Sequence, residues 1–116
     1  MKFEKVVKDD IIILRILEPR VDSNMAPEFK KELLGHIVQD SPNMIIDLHE
    51  VEYMDSSGLG ALLFGRRQAD RFLGSLVVIR LTPRVQKLID IAHLTQALTI
   101  FKTEDEAINS FKKQSS

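Results

Sequence analysis

A carboxylate, two hydroxyls and a glycine follow one another at positions 55–58 of this chain, in the order Asp-Ser-Ser-Gly. Asp and Ser cap helix N-termini, because a side-chain oxygen can accept a hydrogen bond from an unpaired backbone N–H group of the first turn. An apolar run precedes this segment and helical apolar spacing follows it, which predicts a strand, a turn and a helix start. Gly58 and Gly60 would weaken that first turn and leave its backbone and hydroxyls open to close approach by another molecule.

Phosphorylation is the chemistry that such a segment favours. The N–H groups and dipole of a helix N-terminus favour negative charge, so a phosphoryl group on Ser56 or Ser57 could be held there, although Asp55 would oppose it by repulsion. The modification adds about −1.5 to −2 charges at pH 7, which changes a binding surface more than a fold. The same spacing also fits a plain capped helix whose small residues pack against a neighbouring strand.

A serine at a strand-to-helix turn also has the outline of a hydrolase nucleophile elbow. That elbow requires Gly-x-Ser-x-Gly, whereas Met54 and Asp55 precede Ser56. No histidine stands in a recognisable arrangement for a general base, because the three fall in separate predicted elements: His36, His49 and His93. We therefore predict no catalytic residue and no enzyme activity.

The run MDSSGLG at positions 54–60, followed by ALL and then by Arg66 and Arg67, resembles the signature of the STAS domain family, above all its bacterial anti-sigma factor antagonists. The resemblance implies that Ser56, the first serine, is phosphorylated by an anti-sigma factor that is also a serine kinase. It also implies that Asp22 matches an acidic position in the loop after the second strand, beside the phosphorylation loop. Helix capping is the alternative role for Asp22. The partner-binding residues predicted around Ser56 are Asp22, Ser23, Asn24, Asp55, Ser57, Gly58, Leu59, Gly60 and Arg67.

Composition narrows the range of functions. With 16 basic and 17 acidic residues and a formal net charge of −1, the chain has no electrostatic preference for nucleic acid or anionic lipid. It has no cysteine, no apolar run of membrane-spanning length and no signal-peptide pattern, so we expect a cytoplasmic protein. The loose acidic cluster at positions 47–55 lacks recognised metal-ligand spacing, and the glycine-rich segment lacks the Walker A ending. We expect neither a metal site nor a cofactor.

Apolar periodicity predicts the elements that position these residues. Two runs at positions 3–7 and 11–17 flank a polar turn, as in an antiparallel hairpin at a sheet edge. Ala26, Phe29, Leu33 and Ile37 form the apolar stripe of a first helix. The predicted elements after the hairpin are a helix over about 25–38, a strand over 44–48, a helix from 57 to a stop at Gly74, a strand over 76–81, a helix over 83–93, a strand over 97–101 and a helix capped by Thr103 with Glu106.

This order demands crossover connections, which predict an α/β fold with a mixed, mostly parallel sheet and about four helices. At 116 residues we expect one domain over 1–116, with 112–116 as a frayed tail. The predicted mostly parallel sheet with helices packed on it agrees with the STAS fold.

The resemblance implies a partner-switching regulator of transcription, a monomer or weak dimer. Unphosphorylated, it binds the anti-sigma factor kinase and releases a sigma factor; a metal-dependent serine phosphatase restores that state. Two alternatives stay open: a STAS regulator of a pathway without a sigma factor, and a STAS accessory subunit of a transporter.

Overall fold

The structure, a computed structural model, describes residues 1–114, which form a five-stranded sheet, a two-stranded sheet and four helices. In chain order the elements are β1 (Phe3–Lys8), β2 (Ile11–Ile16), β3 (Arg20–Val21), α1 (Ala26–Gln39), β4 (Asn43–Asp47), β5 (Tyr53–Met54), α2 (Ser56–Arg71), β6 (Ser75–Ile79), α3 (Pro83–Ile91), β7 (Thr99–Phe101) and α4 (Glu104–Gln114). The predicted α/β class with a mostly parallel sheet and four helices is confirmed.

The main sheet has the strand order β1-β2-β4-β6-β7. β1 and β2 pair antiparallel as the predicted hairpin, and every other pair in this sheet is parallel. Only β1 of that hairpin is an edge strand, because β2 pairs with β4 on its other side. Parallel strands end at the same edge of a sheet, so the loops after β2, β4 and β6 meet at one end of the molecule.

Side chains alternate between two cores along the central strands, as the pleat of a strand requires. One face of the sheet packs against α1, α2 and α3, and the other packs against α4. In β2, Ile12 and Leu14 belong to the first core, whereas Ile11 and Ile13 belong to the second. The central strands are therefore almost continuously apolar, as expected for a sheet covered on both faces.

A second, two-stranded sheet was not predicted. β3 pairs parallel with β5, so that Arg20 is opposite Tyr53 and Val21 is opposite Met54. Two-residue strands are too short to show any periodicity in the sequence. This small sheet joins the segment before α1 to the segment that precedes α2.

The N-terminus of α1 and the C-terminus of α2 differ in detail from the sequence prediction. Asp22 is not the N-cap of α1, because the N-cap is Met25, which makes no side-chain hydrogen bond. At the end of α2, Leu73 takes the left-handed conformation with φ 65°, and its N–H group donates to Asp70 while that of Gly74 donates to Ala69. Gly74 is needed for a different reason, since a Cβ atom there would collide with Pro42.

Two predictions concern the last helix. The predicted cap is confirmed, because the Glu106 backbone N–H donates to Thr103 Oγ1 at 3.1 Å. α4 continues to Gln114, so residues 112–114 of the predicted frayed tail are helical. Residues 115 and 116, the rest of that tail, lie outside the described residues.

Candidate functional site

Asp55 caps α2, which settles which of the three cap-type residues takes this role. Its Oδ1 accepts hydrogen bonds from the backbone N–H groups of Ser57 at 2.9 Å and Gly58 at 3.1 Å. Its Oδ2 accepts from the backbone N–H of Ser23 at 3.2 Å. One carboxylate therefore completes the first turn of α2 and also contacts the loop before α1.

Ser56 and Ser57 differ in accessibility. Ser56 is the first residue of α2 and is exposed, whereas Ser57 is half-buried. Within residues 1–114, no side-chain hydrogen bond involves the Ser56 hydroxyl. Because Asp55 already satisfies the nearby donors, the Ser56 oxygen is left at the surface and can be reached by another molecule.

The two glycines of this helix start have opposite surroundings. A Cβ atom at Gly58 would lie 2.5 Å from the Val21 carbonyl oxygen and 2.8 Å from Met54 Cγ. The expectation that Gly58 leaves the helix open to another molecule is thus wrong, because the chain's own β3 and β5 occupy that space. At Gly60 a Cβ atom would meet nothing within 4 Å, so this position does leave the backbone accessible.

The loop at residues 22–24, called here the acidic loop, lies beside the start of α2. The Asp22 carbonyl accepts from the N–H groups of Met25 and Ala26, and its Oδ1 accepts from Asn24 N–H at 3.0 Å. The Asp22 carboxylate therefore holds its own loop and does not cap α1 by a side-chain bond. The bond from Ser23 N–H to Asp55 places the acidic loop next to the residue that precedes Ser56.

The remaining predicted partner residues lie on or under α2. Leu59 is buried, so its side chain anchors the helix to the core and cannot reach a partner directly. Arg67 is exposed and stands eleven positions after Ser56, which places it on the same face of the helix but about 16 Å further along the axis. Arg66 donates a hydrogen bond to the Ala97 carbonyl and is half-buried.

A second polar cluster lies at the end of β4 and was not predicted as a unit. Asp47 is only 1% exposed and accepts hydrogen bonds from Arg80 Nε at 3.2 Å and 3.1 Å and from Arg80 Nη2 at 2.8 Å. Arg15 Nε lies 3.6 Å from the same carboxylate, and His49 approaches it with its backbone N–H at 3.1 Å and its ring Nδ1 at 3.0 Å. Arg80 itself has a left-handed backbone with φ 55°. No run of neighbouring residues in the sequence signals this arrangement.

The electrostatics of this cluster favour an ionised Asp47. Burial raises the pKa of Asp47. Hydrogen bonds from Arg80 and His49 together lower it by more than burial raises it, so the pKa of Asp47 lies below its ordinary value. The charge is therefore compensated by the chain's own cations. Within residues 1–114, no group of three His, Asp or Glu side chains is placed to hold a metal ion.

Comparison with known proteins gives consistent matches. The family model of the STAS domain matches residues 2–107. The anti-sigma-B factor antagonist of Listeria monocytogenes is 33% identical over 86 residues, which cover 74% of this chain and 75% of that protein. The anti-sigma factor antagonist SpoIIAA in its unphosphorylated form superposes with a TM-score of 0.79 at 22% identity, covering 97% of both chains.

The fold also occurs inside larger proteins. The murine Solute Carrier 26 family member A9 anion transporter matches with a TM-score of 0.74 at 16% identity, covering 90% of this chain but 18% of the transporter. The part of the present chain that the structure describes contains no helix that is long and apolar enough to span a membrane.

Proposed function

The chain belongs to the STAS domain family, and we propose that it is an anti-sigma factor antagonist whose binding is switched by phosphorylation of Ser56. The observation that carries this proposal is the exposed Ser56 hydroxyl at the start of α2, beside an N-cap that already satisfies the neighbouring N–H groups. An exposed hydroxyl on a segment that a rigid scaffold positions is accessible to another molecule. The similarity to a Listeria anti-sigma-B factor antagonist supports the class of partner.

In the unphosphorylated state, the start of α2 and the acidic loop would form the surface that binds the anti-sigma factor. Binding of that protein releases its sigma factor, which regulates transcription. The open space beside Gly60 allows a partner to approach α2 closely, and Arg67 offers a positive charge on the same helix face.

Phosphorylation of Ser56 would add about −1.5 to −2 charges next to the carboxylate of Asp55. The donors of Ser57 and Gly58 that could neutralise a phosphoryl group already bond to Asp55. The added charge would therefore stay at the surface, where it repels Asp55 and must be desolvated if the partner is to bind. Binding should weaken while the fold is retained.

This chain would act in the cytoplasm as the substrate of two enzymes and would perform no catalysis itself. The anti-sigma factor would be the serine kinase, and ATP would be its phosphoryl donor. A metal-dependent serine phosphatase would remove the phosphoryl group.

The test is phosphosite mapping after incubation with ATP and a candidate anti-sigma factor kinase from the same cell. We expect a single phosphate on Ser56, which Ser56→Ala abolishes and the matched control Ser57→Ala retains. We also expect Ser56→Asp to lose binding to the anti-sigma factor. Absence of phosphate with every such kinase would contradict the proposed switch.

A transporter accessory is the second candidate function, and the match to the Slc26a9 anion transporter is the observation that favours it. Such a role would need no phosphorylatable serine. If Ser56→Asp bound every partner as the wild type does, the accessory role would be favoured over the switch. A regulator of a pathway without a sigma factor would differ only in its partner, which capture by the unphosphorylated protein would identify.

A further inference from the structure

Asp55 connects two segments that are far apart in the sequence. Of its three hydrogen-bond donors, Ser57 and Gly58 belong to α2, whereas Ser23 lies 32 residues earlier in the acidic loop. The bonds are divided between the two carboxylate oxygens, with Oδ1 on the helix and Oδ2 on the loop. The residue is therefore a bridge as well as a cap.

A carboxylate is the cap that can make both contacts. Asn, Asp and Ser cap helices about equally well, because each offers one oxygen to the first-turn N–H groups. The second group of Asn is an NH₂ donor, which would face the donating N–H of Ser23, and Ser has no second group. Capping alone does not explain why the residue before Ser56 should be Asp.

The Asp55 charge is held by backbone N–H groups alone, since no ion pair to it occurs in residues 1–114. A dianion on the adjacent Ser56 would repel this carboxylate. The bond to Ser23 is the longest of the three and joins separate segments, so it should be the first to weaken.

We propose that Asp55 is a positioning residue of the switch: its carboxylate holds the acidic loop and the first turn of α2 as one surface, and negative charge on Ser56 loosens that connection. The inference rests on the proposed function for its biological meaning, since it makes phosphorylation act on the shape of the binding surface as well as on its charge. The physical connection itself can be measured in the isolated protein.

The first experiment follows backbone amide hydrogen exchange by NMR in the isolated chain. Ser56→Glu should speed exchange at the Ser23 amide about three- to tenfold, the range expected for two like charges a few ångströms apart that are fully screened by water. In the Asp55→Asn background, where the bridge is already lost, Ser56→Glu should leave Ser23 unchanged. The matched control is the Asn24 amide, which bonds to Asp22 and should keep its rate throughout.

Asp55→Asn and Asp55→Ser both retain a capping side chain, so either variant serves if the other folds poorly. An unchanged Ser23 exchange rate in both variants would overturn the bridge. An equal response of Ser23 to Ser56→Glu with and without Asp55 would overturn the coupling, since the charge would then act by another route.

The second experiment measures affinity for a candidate anti-sigma factor. Asp55→Asn should bind about tenfold more weakly than the wild type although Ser56 is unmodified, because the acidic loop is no longer held against α2. Equal affinity would overturn the positioning role. If the wild type itself bound no anti-sigma factor while Ser23 responded as expected, the proposed function would fail and the bridge would stand.

Discussion

Asp47 is the last residue of β4 and Asp55 directly follows β5, and both carboxylates accept several hydrogen bonds, yet their surroundings differ. Asp47 is buried and is held by the side chains of Arg80 and His49, with Arg15 nearby. Asp55 is half-exposed, bonds to backbone N–H groups and adjoins the open hydroxyl of Ser56. One carboxylate is neutralised within the chain, and the other is not.

The difference separates a charge that stabilises the fold from a charge that is placed to respond to the proposed phosphorylation. A buried carboxylate without cations would be costly, so Asp47 is retained with two guanidinium groups that hold the ends of β2, β4 and β6 together. A carboxylate that is already neutralised responds little to another charge. Asp55 has no such cation within residues 1–114, so a neighbouring phosphoryl group can perturb it.

Replacing each aspartate by asparagine should give the largest contrast. Asp47→Asn removes the carboxylate that Arg80 contacts, while Arg15 keeps its bond to Glu104. We expect the lost charge-assisted bonds to lower the free energy of unfolding by about 2–3 kcal/mol. Asp55→Asn keeps a capping oxygen, so its loss should be below about 1 kcal/mol. Urea denaturation measures both. Similar losses in the two variants would contradict the division between a structural and a responsive carboxylate.

The next largest effect should come from Gly58→Ala. The new methyl group would lie against the Val21 carbonyl oxygen and Met54, and backbone cannot move aside as easily as a flexible side chain. We expect the free energy of unfolding to fall by about 2 kcal/mol despite the better helix propensity of alanine. Thermal unfolding would check this. A stabilised variant would show that β3 and β5 do not pack against α2 as closely as described.

Lowering the pH should reduce the difference in stability between the wild type and Asp47→Asn. Burial raises the pKa of Asp47, but hydrogen bonds from Arg80 and His49 lower it by a larger amount. In the folded state the pKa of Asp47 therefore lies below the unfolded value of about 3.9. Such a group contributes stability above the unfolded pKa and loses it as the pH falls through the folded pKa. The stability difference between wild type and Asp47→Asn should be constant from about pH 5 to 7 and shrink below about pH 4. A difference that grows in acid would refute this sign.

The smallest effect, and the most specific, should come from Gly60→Ala. The methyl group has open space, so it should stabilise the fold by about 0.5–1 kcal/mol through helix propensity. It should nevertheless weaken binding of the anti-sigma factor, because it lies on the accessible part of α2. Gly35→Ala is the matched control: it has the same open surroundings in α1 and should stabilise the fold without affecting binding. Equal binding by both variants would move the partner surface away from Gly60.

Local patterns were enough to predict much of this architecture. The hairpin, the stripe that begins at Ala26 on α1, the start of α2 and the Thr103 cap all follow from periodicity or from capping chemistry within a few residues. The resemblance in residues 54–60 likewise needed only a short run of sequence. These features depend on interactions between residues that are close together in the sequence, so the sequence alone is enough to predict them.

By itself, then, the sequence determined the order along the chain of the four helices and of the strands of the five-stranded sheet, the helix start that presents Ser56 and the family to which the chain belongs. Only the tertiary structure decided which aspartate is neutralised, which glycine is enclosed and which loop Asp55 holds. The Asp47–Arg80 pair spans 33 residues and the Asp55–Ser23 bond spans 32. Contacts at such separations leave no periodic trace, because they form only when crossover connections bring the ends of distant strands to one edge of the sheet.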